Sequence, residues 1–233
     1  LLDKLGCFTK RLPAPTSSLP RLVDYRVKKN DLDRRARSYL HANCSHCHRK
    51  WGGGNARFQL LDTLDLSETG TLGVRPGQGT FGMAAGKVLA AGDPYRSVLF
   101  FRMSKLGAGR MPRIGSSVVD PVGTRLIHDW IASLPSASPE PNIARSRGET
   151  AVAMKALKST ASDAERAAQI DSLLKTTPGS IRLLHATTGS ELDQATRSQV
   201  IRSATAHASA TVRDLFERYL PEEKRVKRLG TTI

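Results

Sequence analysis

The sequence predicts a mostly helical fold in two parts. A helical domain built around a cysteine–histidine motif comes first, and a smaller all-helical domain follows it. Three observations predict this. Apolar residues recur at helical spacing in several segments. Two of those segments open on an aspartate followed by proline, which suits a helix start. After PSASPEP at 135–141 the composition shifts: residues 149–220 are rich in Ala, Ser and Thr and poor in Gly. With 233 residues, 39% of them hydrophobic, the chain can bury a sizeable core.

The elements follow in order. Residues 1–28 read as an arm, because Pro13, Pro15 and Pro20 break any regular pattern. Apolar patches such as Leu19 and Leu22 are its expected anchors. Helical signals begin at Asn30-Asp31, and Leu32, Ala36, Tyr39 and Leu40 make one apolar stripe. Residues 52–92 are glycine-rich and irregular. Asp93-Pro94 is expected to cap a helix that ends at Gly107 and Gly109. GRMPRIG then forms a stiff loop. Asp120-Pro121 starts a helix with Val122, Leu126, Ile127, Trp130, Ile131 and Leu134 on one broad face, expected to pack against the Tyr39 stripe.

The resulting division is an arm (1–28), a first domain (29–135), a linker (136–148) and a helical domain (149–233). In the last, Ala164, Ala167, Ala168, Ile170 and Leu174 follow helical spacing, as do Val212, Leu215, Phe216 and Tyr219. TTPGS at 176–180 reads as a turn. Three to five short helices are expected there, stacked in pairs of the HEAT type, although no strict repeat period is present.

The formal charge is +15. Residues 1–141 carry 21 basic and 11 acidic side chains, and residues 142–233 carry 15 and 10, so the excess is spread along the chain. A nucleic-acid binder gathers its charge on one face or arm, so a generally basic surface is the better reading and no nucleic-acid partner is expected. No run of eighteen apolar residues exists to span a membrane. The chain begins at Leu1 without a signal peptide, which fits removal of an export signal or excision from a longer chain.

HANCSHCHRK, 41–50, holds two of the three cysteines and three histidines. Within it Cys44-Ser45-His46-Cys47-His48 is C-x-x-C-H, the attachment pattern for c-type haem. Thiols three residues apart on one helical turn reach the two vinyl groups along a porphyrin edge. The histidine that follows brings an imidazole nitrogen beneath the iron, so His48 is the expected proximal ligand. Zinc is the main rival, but it needs four ligands. Cys44 and Cys47 supply two, and the others must come from His41, His46 or His48 on the same short segment, or from distant His128. A thioredoxin-type switch needs a βαβ context that does not precede Cys44. Two merely structural cysteines are the remaining option.

A haem that transfers electrons takes a sixth ligand. Met103 lies among apolar neighbours and reads as core; Met83 and Met154 have nothing stiff around them. In Gly109-Arg110-Met111-Pro112 a glycine permits close approach and a proline fixes the exit, so Met111 is the favoured ligand. His/Met ligation raises the potential and closes the iron to oxygen. Arg75, Arg96 and Arg110 are options for pairing with haem propionates, each with a solvated surface as the simpler reading. His46 is expected to face solvent, His41 to be surface or haem-edge packing, and Cys7 to be a free thiol on the arm.

Residues 30–135 resemble a single-haem cytochrome c domain. The resemblance rests on RARSYLHANCSHCHR, AGDPYRSVLFFRM, GRMPRIG and VVDPVGTRLIHDWIASL, in that order. They are similar to a bacterial family in which this unit follows a sugar-dehydrogenase-like β-propeller. That family usually has a second stiff residue after Met-Pro, where this chain has Arg113. VRDLFERYLPEEKRVKRLG, 212–230, resembles a segment of planctomycete-type multidomain haem proteins, where it leads to another cytochrome module. The resemblance implies one covalent haem c on a piece of a larger exported, periplasmic redox protein. It also implies a dehydrogenase as electron donor and a cytochrome or respiratory complex as acceptor. The chain is then an electron-transfer part rather than a catalyst by itself.

Overall fold

The computed structural model describes residues 2, 4–10, 12–114, 117–159, 162–226. Gly115 of the GRMPRIG loop and residues 227–230 of the tail lie outside the described residues. Among those described, eight α-helices and no strand are present: α1 Leu32–Cys44, α2 Val98–Ser104, α3 Pro121–Ser133, α4 Pro141–Ser159, α5 Asp163–Leu174, α6 Thr177–Thr188, α7 Gln194–Thr205 and α8 Ala210–Phe216. The chain is mostly helical. Only isolated parallel bridges, Leu72 with Leu89 and Lys87 with Ser97, occur in the irregular stretch between α1 and α2.

α1 starts where Asp31 accepts the Arg34 amide at 3.0 Å, and α3 starts where the Asp120 carboxylate takes the Val122 and Gly123 amides at 2.9 and 3.0 Å. The apolar stripes meet as expected. Ala36, Tyr39 and Leu40 of α1 are buried, as are Leu126, Ile127, Trp130 and Ile131 of α3, and the two helices pack together. Trp130 donates its indole N–H to Asp33 at 2.7 Å, so a large apolar body is buried with its polar edge satisfied. The approach is close at Gly123, where an added Cβ would lie 2.2 Å from the Tyr39 ring. Val122 is the exception on the predicted face and is exposed.

The arm is held by Tyr25 rather than by Leu22, which is exposed. The Tyr25 ring meets Tyr39 edge-on, its hydroxyl donates to Asp120 at 3.1 Å, and its carbonyl accepts from Arg35 at 2.8 Å.

Four expectations are corrected. Asp93 does not cap a helix with its side chain: Arg96 at 3.3 Å and Arg147 at 2.7 Å claim its carboxylate. The chain there makes a 3-10 turn, Pro94–Arg96, before α2 begins at Val98 and ends at Ser104, short of Gly107. The predicted linker is helical in its second half, because Pro141 opens α4; proline at a first helical position lacks only an N–H that would be unpaired anyway. TTPGS is a helix start for the same reason, with Thr176 accepting the Gly179 amide at 3.1 Å. In α5, Ala164 and Ala168 are exposed; Ile170, Leu173 and Leu174 make the buried face.

One apolar cluster runs through both parts of the chain, from Ala36 and Trp130 to Ile181, Leu215 and Phe216. Polar ties cross the same seam. Lys105 meets Asp214 at 2.8 Å with both side chains largely buried, the Leu106 amide donates to the Asp214 carbonyl at 2.9 Å, and Arg218 donates to the Ser104 carbonyl. The Thr177 hydroxyl donates to the Phe81 carbonyl at 2.6 Å. α6 packs on the Pro94–Arg96 turn. The five helices after Pro141 therefore share the core of the preceding region.

Candidate functional site

The C-x-x-C-H segment is wound into a single turn at the end of α1. The Ser45 amide donates to the His41 carbonyl at 3.2 Å, and the amides of Cys47 and His48 both reach the Cys44 carbonyl, at 3.1 and 2.9 Å. Cys44 and Cys47 are free thiols, as is the exposed Cys7. Cys44 packs against the core. Burial first, and then the neighbouring Cys47, push its thiol up to about 12. A thiol–disulfide switch needs the opposite shift, toward thiolate.

His48 is half-buried, and its Nδ1 is shut off from solvent without a hydrogen-bond partner. Burial, followed by the positive charge of Arg102 and then by His46, lowers its pKa, so the imidazole is neutral at neutral pH and keeps a lone pair for a metal. Phe58 stacks on the ring, with centroids 4.5 Å apart and planes 6° apart. Stacking uses the ring face, whereas coordination uses a lone pair in the ring plane, so the two do not compete. The His48 carbonyl is fixed by the Leu60 amide at 2.8 Å.

Two parts of this site escaped the sequence reading. Phe58 carried no periodic signal. Gly52 and Gly54 were seen only as members of a glycine-rich stretch, yet a Cβ on either would lie 2.5 or 2.8 Å from the Cys47 carbonyl. The WGGGN run directly after the motif was the available clue: backbone must fold tightly over Cys47.

Met111 lies in the loop after α2 and is half-buried. Its amide donates to the Arg102 carbonyl at 3.0 Å, the Arg102 side chain donates to the Gly109 carbonyl at 2.6 Å, and the Met111–Pro112 peptide is cis. Arg102 links this loop to the motif, since its charge acts on His48. Arg110 of the same loop lies near Tyr39 of α1, which partly offsets the lowering of its pKa by burial. Cys44, Cys47 and His48 thus come together on one turn, and the Met111 loop is tied to the arginine whose charge reaches His48.

The remaining residues divide. Met103 is core as expected; Met83 and Met154 are also buried, at 2% and 4% exposure, rather than unsupported. His46 is exposed, while His41 is fixed by accepting the Asp62 amide at 3.0 Å. Arg75 is exposed. Arg96 is buried, against its expected solvated surface, and is taken up by Asp93 and by the Ala84 carbonyl, 2.5 Å away. The Arg110 guanidinium donates to the Pro112 carbonyl at 3.0 Å and to the Val118 carbonyl at 2.5 Å.

The donor set fits a c-type haem: two reduced thiols one turn apart, and next to them a neutral imidazole with an idle nitrogen. No described helix is long and apolar enough to cross a membrane. Comparison with protein-family models, with curated proteins and with solved structures finds no match to this chain.

Proposed function

We propose that this chain is a c-type cytochrome module that relays single electrons. The carrying observation is the one turn in which Cys44 and Cys47 present two reduced thiols and His48, directly after them, a neutral imidazole with a buried unpartnered nitrogen. In this reading Cys44 and Cys47 would hold one haem covalently, and His48 and Met111 would ligate its iron. When bound, the haem supplies an iron that cycles between ferrous and ferric states.

The chain's own residues do the rest. Phe58 on the imidazole face holds the ring's orientation. Arg102 places a positive charge within reach of His48, which would disfavour the oxidised form of a bound haem and raise its potential. Arg75, being exposed, is free to meet a propionate in a way that the occupied Arg96 is not. Covalent haem attachment puts the protein in the periplasm or another exported space. The resemblance adds a dehydrogenase donor, a cytochrome or respiratory acceptor, and neighbouring domains in a longer polypeptide. It also supports a cytochrome c-like arrangement of α1–α3, while the HEAT-type pairing of the later helices rests on their spacing and short length alone.

The test is a pyridine haemochrome spectrum of the chain exported in a host with cytochrome c maturation machinery. A c-type α-band that stays with the denatured polypeptide is the expected result. A colourless product, from a host that matures a control cytochrome, sinks the reading and moves the weight to a zinc-stabilised, non-redox interaction protein. Met111→Ala is expected to keep the covalent haem, lower its potential and let carbon monoxide bind the reduced iron. An unchanged potential and spectrum would remove Met111 as ligand.

A further inference from the structure

Where the two parts of the chain meet, His128 of α3 and His185 of α6 lie ring on ring, with centroids 3.8 Å apart and planes 16° apart. His128 is placed by its neighbours. Its Nε2 is 2.9 Å from the Tyr95 hydroxyl, and its Nδ1 is 2.9 Å from Asp129 Oδ1. His185 is not so placed. Both of its ring nitrogens are shut off from solvent, and neither has a hydrogen-bond partner. The Glu191 carboxylate is 3.6 Å from its Nδ1, beyond hydrogen-bond reach. A buried polar atom left without a partner costs about 1–3 kcal/mol, and this imidazole has two.

One ligand atom each from His128, Asp129 and His185 lies within 4.8 Å of the others. We propose that these three residues form a binding site for a divalent transition-metal ion of the zinc, cobalt and nickel class, bridging α3 and α6. Two imidazole nitrogens and one carboxylate oxygen are the donor set such ions take, with water in the fourth position. Tyr95 completes the arrangement: its hydroxyl, 2.9 Å from Nε2 of His128, holds the ring, and Nδ1 becomes the metal donor when the ion replaces the proton it shares with Asp129. Asp129 is half-exposed and gives the ion an entry path.

A lone pair lies in the plane of its ring, and these two rings are nearly parallel with centroids 3.8 Å apart, so the His185 ring must turn to close the site. Because His185 makes no hydrogen bond, turning it breaks none. Glu191 is left out of the ligand set. Arg182 holds its oxygens at 2.8 and 3.2 Å, and Lys158 reaches one at 2.6 Å, so its single charge is already taken up by those two cations. Arg125 is the cation that Asp129 must offset. Burial and His128 first, with Arg182 and Arg125 adding, press the His185 pKa down to about 4, so proton competition for this ligand is slight at neutral pH. The site shares no residue with the haem motif.

The test is calorimetric titration of the full chain with zinc chloride, comparing wild type with Asp129→Asn, His185→Ala and a Cys44→Ala/Cys47→Ala double variant. Asp129 lies at the surface, so its variant keeps the fold even if loss of His185 disturbs the seam. One equivalent of zinc is expected, weakened at least about tenfold in Asp129→Asn and His185→Ala and unchanged in the cysteine variant. Zinc is also expected to raise the unfolding midpoint of wild type and not that of Asp129→Asn. Absence of binding, an affinity untouched by Asp129→Asn, or binding lost only with the cysteines would overturn the site. Haem attachment is read separately, by absorbance, so either conclusion can fail alone.

Discussion

Between α1 and α2 the chain makes only two short 3-10 turns, Leu66–Thr69 and Pro94–Arg96, whereas from Pro141 to Phe216 five helices follow one another with short connections. The two regions are held by different means. The helical one buries apolar faces: Leu157, Ile170, Leu174, Ile181 and Leu183 are all at most 1% exposed. The irregular one adds a few buried side chains, such as Met83 and Leu89, and is otherwise fixed by individual hydrogen bonds, many of them to backbone. The Asp62 amide reaches His41, Arg37 reaches the carbonyls of Asp62 and Leu64, the Gln59 amide reaches the Thr69 carbonyl, and the Lys50 amide reaches the Gln59 side chain. Such bonds net only about 1 kcal/mol each, against about 2–3 kcal/mol for a fully buried large aliphatic side chain. A long irregular segment in a compact fold is usually functional, and here it wraps the C-x-x-C-H turn. The difference teaches that the site lies where the chain gives up periodic packing, and that the helical region supplies the support.

The sharpest way to break that comparison is to cut the tie between the regions. Lys105 is 2% exposed and pairs with Asp214 of α8 across the seam. Lys105→Ala removes this charged hydrogen bond across the seam, at a cost of about 2–3 kcal/mol. Chemical denaturation should show this loss in a single transition. If a second transition appears instead, with the helical region unfolding at its original midpoint, the regions are separate units and the support is not mutual.

The next effect sharpens the comparison with pH. His185 faces His128, Arg182, Arg125 and Glu191, with Tyr95 and Asp129 beside His128. Its folded pKa of about 4 lies below the ordinary histidine value of 6.5. As pH falls below 6.5 the unfolded chain takes the proton and the folded chain does not, so stability is full above 6.5 and declines down to about 4. The loss is about 2 kcal/mol once partial exposure is allowed for. Glu191, held down to about 2 by Arg182, loses its own contribution only from about 4.5 downward, so the two windows separate. Urea midpoints across pH 4 to 7 read this directly, and His185→Gln should flatten the slope above pH 4.5.

How much of this was legible beforehand depends on which forces a sequence displays. The α1 and α3 stripes, their Asp31 and Asp120 caps and the Tyr39–Trp130 layer were readable, because periodicity and capping are local. The turn that gathers Cys44, Cys47 and His48 was readable for the same reason. Asp93 was misread because a carboxylate before proline can cap or pair, and Arg147, far along the chain, decided it. TTPGS and Pro141 were misread because proline both stops and starts helices. Phe58 on His48 and His185 on His128 were invisible, since each contact joins segments with no shared pattern.

The smallest effect tests how the arm is fastened. Asp120 takes the Val122 and Gly123 amides with one oxygen and the Tyr25 hydroxyl with the other. Asp120→Ala removes the α3 cap, worth about 1 kcal/mol, and with it the arm's one hydrogen bond to that carboxylate. Tyr25→Phe removes only the second, and because this hydroxyl is part-buried rather than sealed, water replaces it at a cost of about 0.5 kcal/mol. The Tyr25 hydroxyl is less acidic than usual, through burial first and then the Asp120 charge, so it stays a donor at neutral pH. Hydrogen exchange at residues 23–27 should rise in both variants, and at the start of α3 in Asp120→Ala alone. If Tyr25→Phe loosens the start of α3 as well, the arm stabilises the helix rather than resting on it, and the direction of support between the two is reversed.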